Sequence, residues 1–152
     1  MRALIQRVTK GSVTIGENKK GEIDKGFVIL LGVGKDDTEK ECDYIADKAI
    51  NLRIFEDENG KLNKSLLDVG GKALIVSQFT LYADCKKGRR PSFIDAARPE
   101  TAIPLYERFI SIFEKAGIEV HTGQFGADMS VLIENDGPVT IWIDSNEIMP
   151  NR

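Results

Sequence analysis

The segment SQFTLYAD at 77–84 sets two hydroxyls and an amide close together: Ser77, Gln78 and Thr80, with Phe79 among them. Such groups can hold a polar substrate, or polarise a carbonyl together with neighbouring backbone N–H groups. The plainer account is a strand end whose polar side chains satisfy nearby backbone. Thr80 offers a hydroxyl, yet no base is evident beside it, and a threonine hydroxyl needs activation to act as a nucleophile at neutral pH. His121, in IEVHTG, is the single histidine. A lone histidine on a strand reads as structural, and without it no Ser-His-Asp set can be assembled. There is no G-x-S-x-G elbow, no P-loop and no GxGxxG.

Two more stretches stand out. ENDGPVT (134–140) puts Gly137-Pro138 between two β-forming runs, Val131–Ile133 and Val139–Ile143. Asn, Asp, Gly and Pro predict a hairpin turn there; the alternative is that the Gly-Pro backbone is itself a working part. CKKGRRPSF (85–93) crowds Lys86, Lys87, Arg89 and Arg90 beside Phe93. It reads either as a solvated loop or as a patch that contacts phosphates.

The elements that must position these groups follow from periodicity. Residues 3–9 and 12–15 are apolar-rich runs around Lys10-Gly11, which predicts a hairpin. GFVILLGVG (26–34) is apolar on both faces and predicts a central, doubly covered strand. Thr38 and Glu41 make a capping box, and Ile45, Ala49 and Leu52 continue at helical spacing, so a helix is expected over about 38–51. Residues 56–66 read as a polar connector, and Ala73–Val76 as a strand that delivers 77–80 at its polar end. Leu105, Phe109, Ile112, Phe113 and Ala116 form one apolar stripe, with Pro104 expected in the first helical turn and Gly117 as the stop. GIEVH (117–121) is a further strand. The pattern is α+β: strands at both ends, two main helices between them, one domain over 1–152. Several strands have few polar positions, so a dimer that buries one sheet face is expected.

Composition narrows the function. The chain has 152 residues, 41% hydrophobic and 30% charged, with a net charge of −3. No global positive field draws it to nucleic acid. The longest near-continuous apolar stretch, Phe27–Val33, is of strand length and too short to span a membrane. MRALIQRVTKG has no signal-peptide pattern, so the cytoplasm is the expected location. Cys42 and Cys85 have no CxxC partner, and one histidine cannot complete a structural zinc site. Neither a metal nor a cofactor is expected.

RALIQRV (2–8), SQFTLYADCKKGRRPSF (77–93), FGADMSV (125–131) and NDGPVT (135–140) occur in this order. Together they resemble the D-aminoacyl-tRNA deacylase family over essentially the whole chain. The resemblance implies a mostly antiparallel, barrel-like core and an intimate homodimer. It implies a hydrolase that cleaves the ester between a D-amino acid and the 3′ end of aminoacyl-tRNA. It further implies a cis Gly137-Pro138 bond that projects from one subunit into the active site of the other and rejects L-aminoacyl groups. Achiral glycine would pass such a gate. The backbone N–H groups near Phe79 and Thr80 would hold the oxyanion, helped by the RNA 2′-hydroxyl. Ser77 and Gln78 would orient the substrate. Phe125, Gly126 and Met129 would shape the adenine pocket, and Lys86, Lys87, Arg89 and Arg90 would contact RNA. The alternative is a non-catalytic module that binds the tRNA acceptor end.

Overall fold

The computed structural model describes residues 1–150. Its longest strand, β1 (Arg2–Ile15), is flanked on one side by β2 (Asn18–Ile23) and β3 (Gly26–Gly32), and on the other by β8 (Ser130–Asp144). β3 continues the sheet through β6 (Lys72–Ser77) to β7 (Val120–Thr122). The β3–β6 and β6–β7 pairs are parallel and the pairs involving β1 antiparallel. Backbone at Gly21 on β2 lies against Thr122 and His121 on β7, so the sheet curls into a nearly closed barrel-like form.

The central strands divide their side chains between two cores, which is why they read as apolar throughout. Phe27, Ile29 and Leu31 of β3, with Ala73 and Ile75 of β6, face one cluster. Val28, Leu74 and Val76 face the other, inside the curl, with Val8, Val13 and Ile23. Helices α1 (Glu39–Asn51) and α2 (Pro99–Lys115) cover the first cluster with Ile45, Ala49, Leu105, Phe109 and Phe113. The α1 capping box forms as expected, with Glu41 Oε2 accepting from the Thr38 amide at 2.6 Å. Arg108 clasps Asp43 across the helix pair at 2.6 and 3.0 Å and holds that carboxyl below its usual range.

Several expectations are corrected. Lys10-Gly11 is not a turn: β1 runs straight through it, and the hairpin comes at Gly16-Glu17 instead. Gly11 is needed for closeness, since a Cβ there would sit 2.6 Å from Val28 Cγ2. Pro104 lies inside α2 rather than in its first turn, because the helix already begins at Pro99. The connector at 56–66 contains a small two-stranded hairpin, β4 (Phe55–Glu56) with β5 (Leu62–Lys64). A short helix, α3 (Ser145–Ile148), follows β8. Among the described residues, no helix is long and apolar enough to cross a membrane.

The largest departure concerns ENDGPVT, which makes no hairpin. β8 stays on β1 on both sides of it, with Thr140 opposite Gln6 but Asn135 opposite Val8. Two steps of β1 therefore face five steps of β8, and the intervening residues 136–139 loop out as a bulge. Asn135 Nδ2 ties the loop's base by donating to Arg7 O and Val139 O, both at 2.9 Å. The Gly137-Pro138 bond within the bulge is cis.

Candidate active site

β6 ends at Ser77, and the chain tightens at once into a 3₁₀ turn over Phe79–Tyr82. Thr80 is thus presented by a turn, not by the strand end expected from the sequence. The Gln78 amide still reaches back to Leu31 O at 2.8 Å, which anchors the turn to β3. Arg2 holds its far side: Nη1 donates to Leu81 O at 2.9 Å and Nε to Asp144 Oδ2 at 3.0 Å. No side chain caps the start of the turn. The first amides of a helical turn have no partner within it, so those of Phe79 and Thr80 are its natural donors.

In front of this turn lies a cavity of about 390 Å³. Ser77, Gln78, Phe79 and Thr80 line one side; Phe125, Gly126 and Met129 line another. Seven of the residues singled out in the sequence therefore share one cavity, although 77–80 and 125–129 are far apart in the chain. Gln78 Nε2 donates to Thr80 Oγ1 at 2.9 Å. Phe125 rests against Tyr106 of α2 with ring centroids 6.4 Å apart. The Tyr106 hydroxyl donates to Ile75 O at 2.6 Å, and burial pushes its pKa up to about 12. It is a strut between helix and sheet rather than a proton carrier.

Sequence reasoning missed Asp128, Ala97 and Ala102, which also line the cavity. Asp128 lies inside the FGADM run and was open to notice. The two alanines carry no chemical signal; they matter only as small residues that leave space.

His121 does not join the site. It lies on β7, does not line the cavity, and has Nε2 2.9 Å from Glu119 Oε2. That contact, first, and Lys72, second, lower the Glu119 pKa.

Gly137 and Pro138 do not line this cavity either; they are exposed on the β8 bulge. Arg7 fastens the bulge from beneath. Its Nε lies 3.3 Å from both the Asp136 carbonyl and Asp136 Oδ2, and Nη1 donates to Ile54 O at 2.9 Å. The same bulged strand exposes Leu132 and Trp142.

The basic segment forms a short arm. Asp84 and Ser92 exchange two backbone hydrogen bonds, of 2.8 and 2.9 Å, at its base. Lys86, Lys87, Arg89 and Arg90 are exposed beyond it. None of the four forms an ion pair with another described residue. Phe93, just past the base, meets Phe79 edge-on at 5.1 Å, so the arm is joined to the 3₁₀ turn.

Comparison with known proteins gives the family and the fold. Residues 4–144 match the model of the family described as D-Tyr-tRNA(Tyr) deacylase. A D-aminoacyl-tRNA deacylase of Thermus aquaticus is 57% identical over 152 residues, covering all of both chains. One from Clostridioides difficile (strain 630) is 57% identical, covering 97% of this chain and 99% of the relative. A solved structure titled c-Myc DNA Unwinding Element Binding Protein superposes with a TM-score of 0.90 at 43% identity, covering 95% of this chain and 99% of that one. A probable eukaryotic D-amino acid tRNA deacylase shares the fold, with a TM-score of 0.78 at 18% identity, covering 93% and 97%. With a family match across nearly the whole chain and relatives this similar, the protein belongs to the D-Tyr-tRNA(Tyr) deacylase family.

Proposed function

We propose that this chain hydrolyses the ester joining a D-amino acid to the 3′-terminal adenosine of tRNA. The observation that carries the reading is the single cavity shared by Ser77–Thr80 and Phe125–Met129, set before the uncapped start of the 3₁₀ turn. The amides of Phe79 and Thr80 stabilise the oxyanion that forms when water attacks the ester carbonyl. Ser77 and Gln78 orient the ester, and the apolar side formed by Phe125, Gly126 and Met129 takes the adenine. Release of free D-amino acid and tRNA completes the turnover, in the cytoplasm. The decisive experiment offers matched D- and L-aminoacyl-tRNA to the purified protein and follows amino-acid release. The D form is expected to be cleaved and the L form left essentially intact; equal rates would remove the chirality gate.

The gate is Gly137-Pro138 of a second copy. With the α-amino group and the ester fixed, D and L substrates differ in where the side chain and the Cα hydrogen point. A rigid backbone wall on the L side excludes every L residue without needing a pocket for the D side chain. Glycyl-tRNA has no side chain to exclude and is cleaved as well. The exposed bulge and the apolar Leu132 and Trp142 on the same strand suit a symmetric dimer through β8. The protein is therefore expected to be a dimer in solution, with Pro138 of one protomer beside Thr80 of its partner. A monomeric mass by light scattering at micromolar concentration would remove this arrangement.

A second reading is a module that binds the tRNA acceptor end without turnover, and the unpaired cations of the arm favour it. In either reading the arm supplies non-specific attraction. Replacing Lys86, Lys87, Arg89 and Arg90 by Gln is expected to weaken tRNA binding and flatten its salt dependence. The D-over-L ratio should stay unchanged, because phosphate contacts position without reading stereochemistry. A changed ratio at an unchanged salt slope would count against this role.

A further inference from the structure

Phe79 has a double position. It lines the cavity, yet the residue is 56% exposed. It keeps its edge-on contact with Phe93, and the next residue, Ile94, is 76% exposed, the highest value among the large hydrophobic side chains. The folded chain gives these apolar groups little cover of its own. They adjoin the arm bearing Lys86, Lys87, Arg89 and Arg90, on a chain whose net charge is −3. An aromatic and aliphatic surface beside unpaired cations is the combination that holds single-stranded nucleic acid: bases stack on the one while phosphates meet the other.

We propose that Phe79, Phe93 and Ile94 form a stacking seat for the two nucleotides that precede the terminal adenosine, with the arm holding their phosphates. The inference rests on the deacylase reading and extends it. A 3′ end whose terminal adenosine fills the cavity must leave along a wall, and the Phe79 wall continues into the apolar patch and then the basic arm. The unpaired C-C-A end of an aminoacyl-tRNA supplies both the bases and the two bridging phosphates. The ligand class is thus a short, single-stranded ribonucleotide segment, bound without sequence-specific hydrogen bonds.

The test compares D-aminoacyl-adenosine, a D-aminoacyl-CCA trinucleotide and D-aminoacyl-tRNA. The trinucleotide is expected to have a kcat/KM about tenfold above that of the adenosine ester. Its log kcat/KM should fall with log salt at a slope of about 0.7 per phosphate contacted. Ile94→Ser should shrink the trinucleotide's advantage severalfold and Ile94→Trp should widen it, while the adenosine ester is cleaved as before. The proposal is overturned if the trinucleotide has no advantage. It is also overturned if the Ile94 variants leave that advantage untouched, or change both small substrates by one common factor, as a residue of the fold or of a dimer interface would. Absence of turnover on D-aminoacyl-tRNA itself is a different result: it sinks the deacylase reading, and the seat with it.

Discussion

Gly137→Ala is expected to cut turnover of D-aminoacyl-tRNA about a hundredfold, the scale on which a displacement of about 1 Å in a reacting geometry acts. Two independent facts lead there. Gly137 has φ +118°, where an L side chain is strained by about 1–3 kcal/mol. An added Cβ would also lie 2.9 Å from Val139 Cγ2 and 3.0 Å from Arg7 Nη2. Arg7 cannot swing aside cheaply, because its side chain is buried and committed to Ile54 O and Asp136. The bulge has to move instead. The fold should survive, since β8 is paired with β1 on both sides of the bulge: Ser130–Ile133 on one side, Thr140–Asp144 on the other. The expected outcome is therefore a large kinetic loss with a thermal midpoint near that of the parent. Near-parental turnover would show that the bulge plays no part in the site.

That bulge also marks the limit of what the sequence makes legible. Local signals were dependable where one interaction decides the outcome. The Thr38–Glu41 box placed the start of α1, and the stripe through Leu105, Phe109 and Phe113 placed α2. Unbroken apolar sequence in β3 correctly implied cover on both faces. The hairpins expected at Lys10-Gly11 and Gly137-Pro138 fail for one cause, while the cis bond expected at the second is present. Glycine and proline advertise a departure from regular pairing, but not whether the chain reverses or only bulges. At both places β1 and β8 stay together because each has the other as partner over more than ten residues, which no local window contains. The parallel β3–β6 pair was hidden for a similar reason, as it depends on α1 and the β4–β5 hairpin crossing over between the strands.

The site divides the same way. Hydroxyl, amide and aromatic residues of 77–80 and 125–129 were legible by type, and their meeting in one cavity followed from the resemblance. Ala97 and Ala102 were not legible, because they contribute absence of bulk. The 3₁₀ turn was missed because Phe79–Tyr82 continues a strand-like pattern past Ser77. Its anchors are tertiary: Arg2, from the other end of the chain, holds Leu81 O, and Leu31 O on β3 accepts from the Gln78 backbone amide.

Replacing the 2′-hydroxyl of the terminal adenosine by hydrogen, with the aminoacyl group on the 3′-oxygen, is expected to slow deacylation by about 10²–10⁴-fold, the usual worth of a positioned proton-transfer group. The protein's own inventory leads to this. Thr80 Oγ1 accepts a hydrogen bond from Gln78 Nε2, so one of its lone pairs is already engaged by a donor. Val33, Val76, Ala97, Ala102, Phe125 and Met129 bring side chains with no group that could act as a base, and His121 does not line the cavity. Asp128 is the one carboxylate in the lining, and it is exposed. The 2′-hydroxyl of the substrate is adjacent to the ester in every encounter and needs no side chain to place it, so it is the group best situated to guide the attacking water. Thr80→Val keeps the shape and removes the hydroxyl, and it should cost far less than the loss of the 2′-hydroxyl. Undiminished hydrolysis of the 2′-deoxy ester, together with collapse of Thr80→Val to the uncatalysed rate, would assign covalent catalysis to Thr80. Undiminished hydrolysis with collapse of Asp128→Asn would make that carboxylate the base. Parallel loss on the 2′-deoxy ester in parent and Thr80→Val leaves the RNA as the source of the decisive group, with the amides of Phe79 and Thr80 as the protein's part.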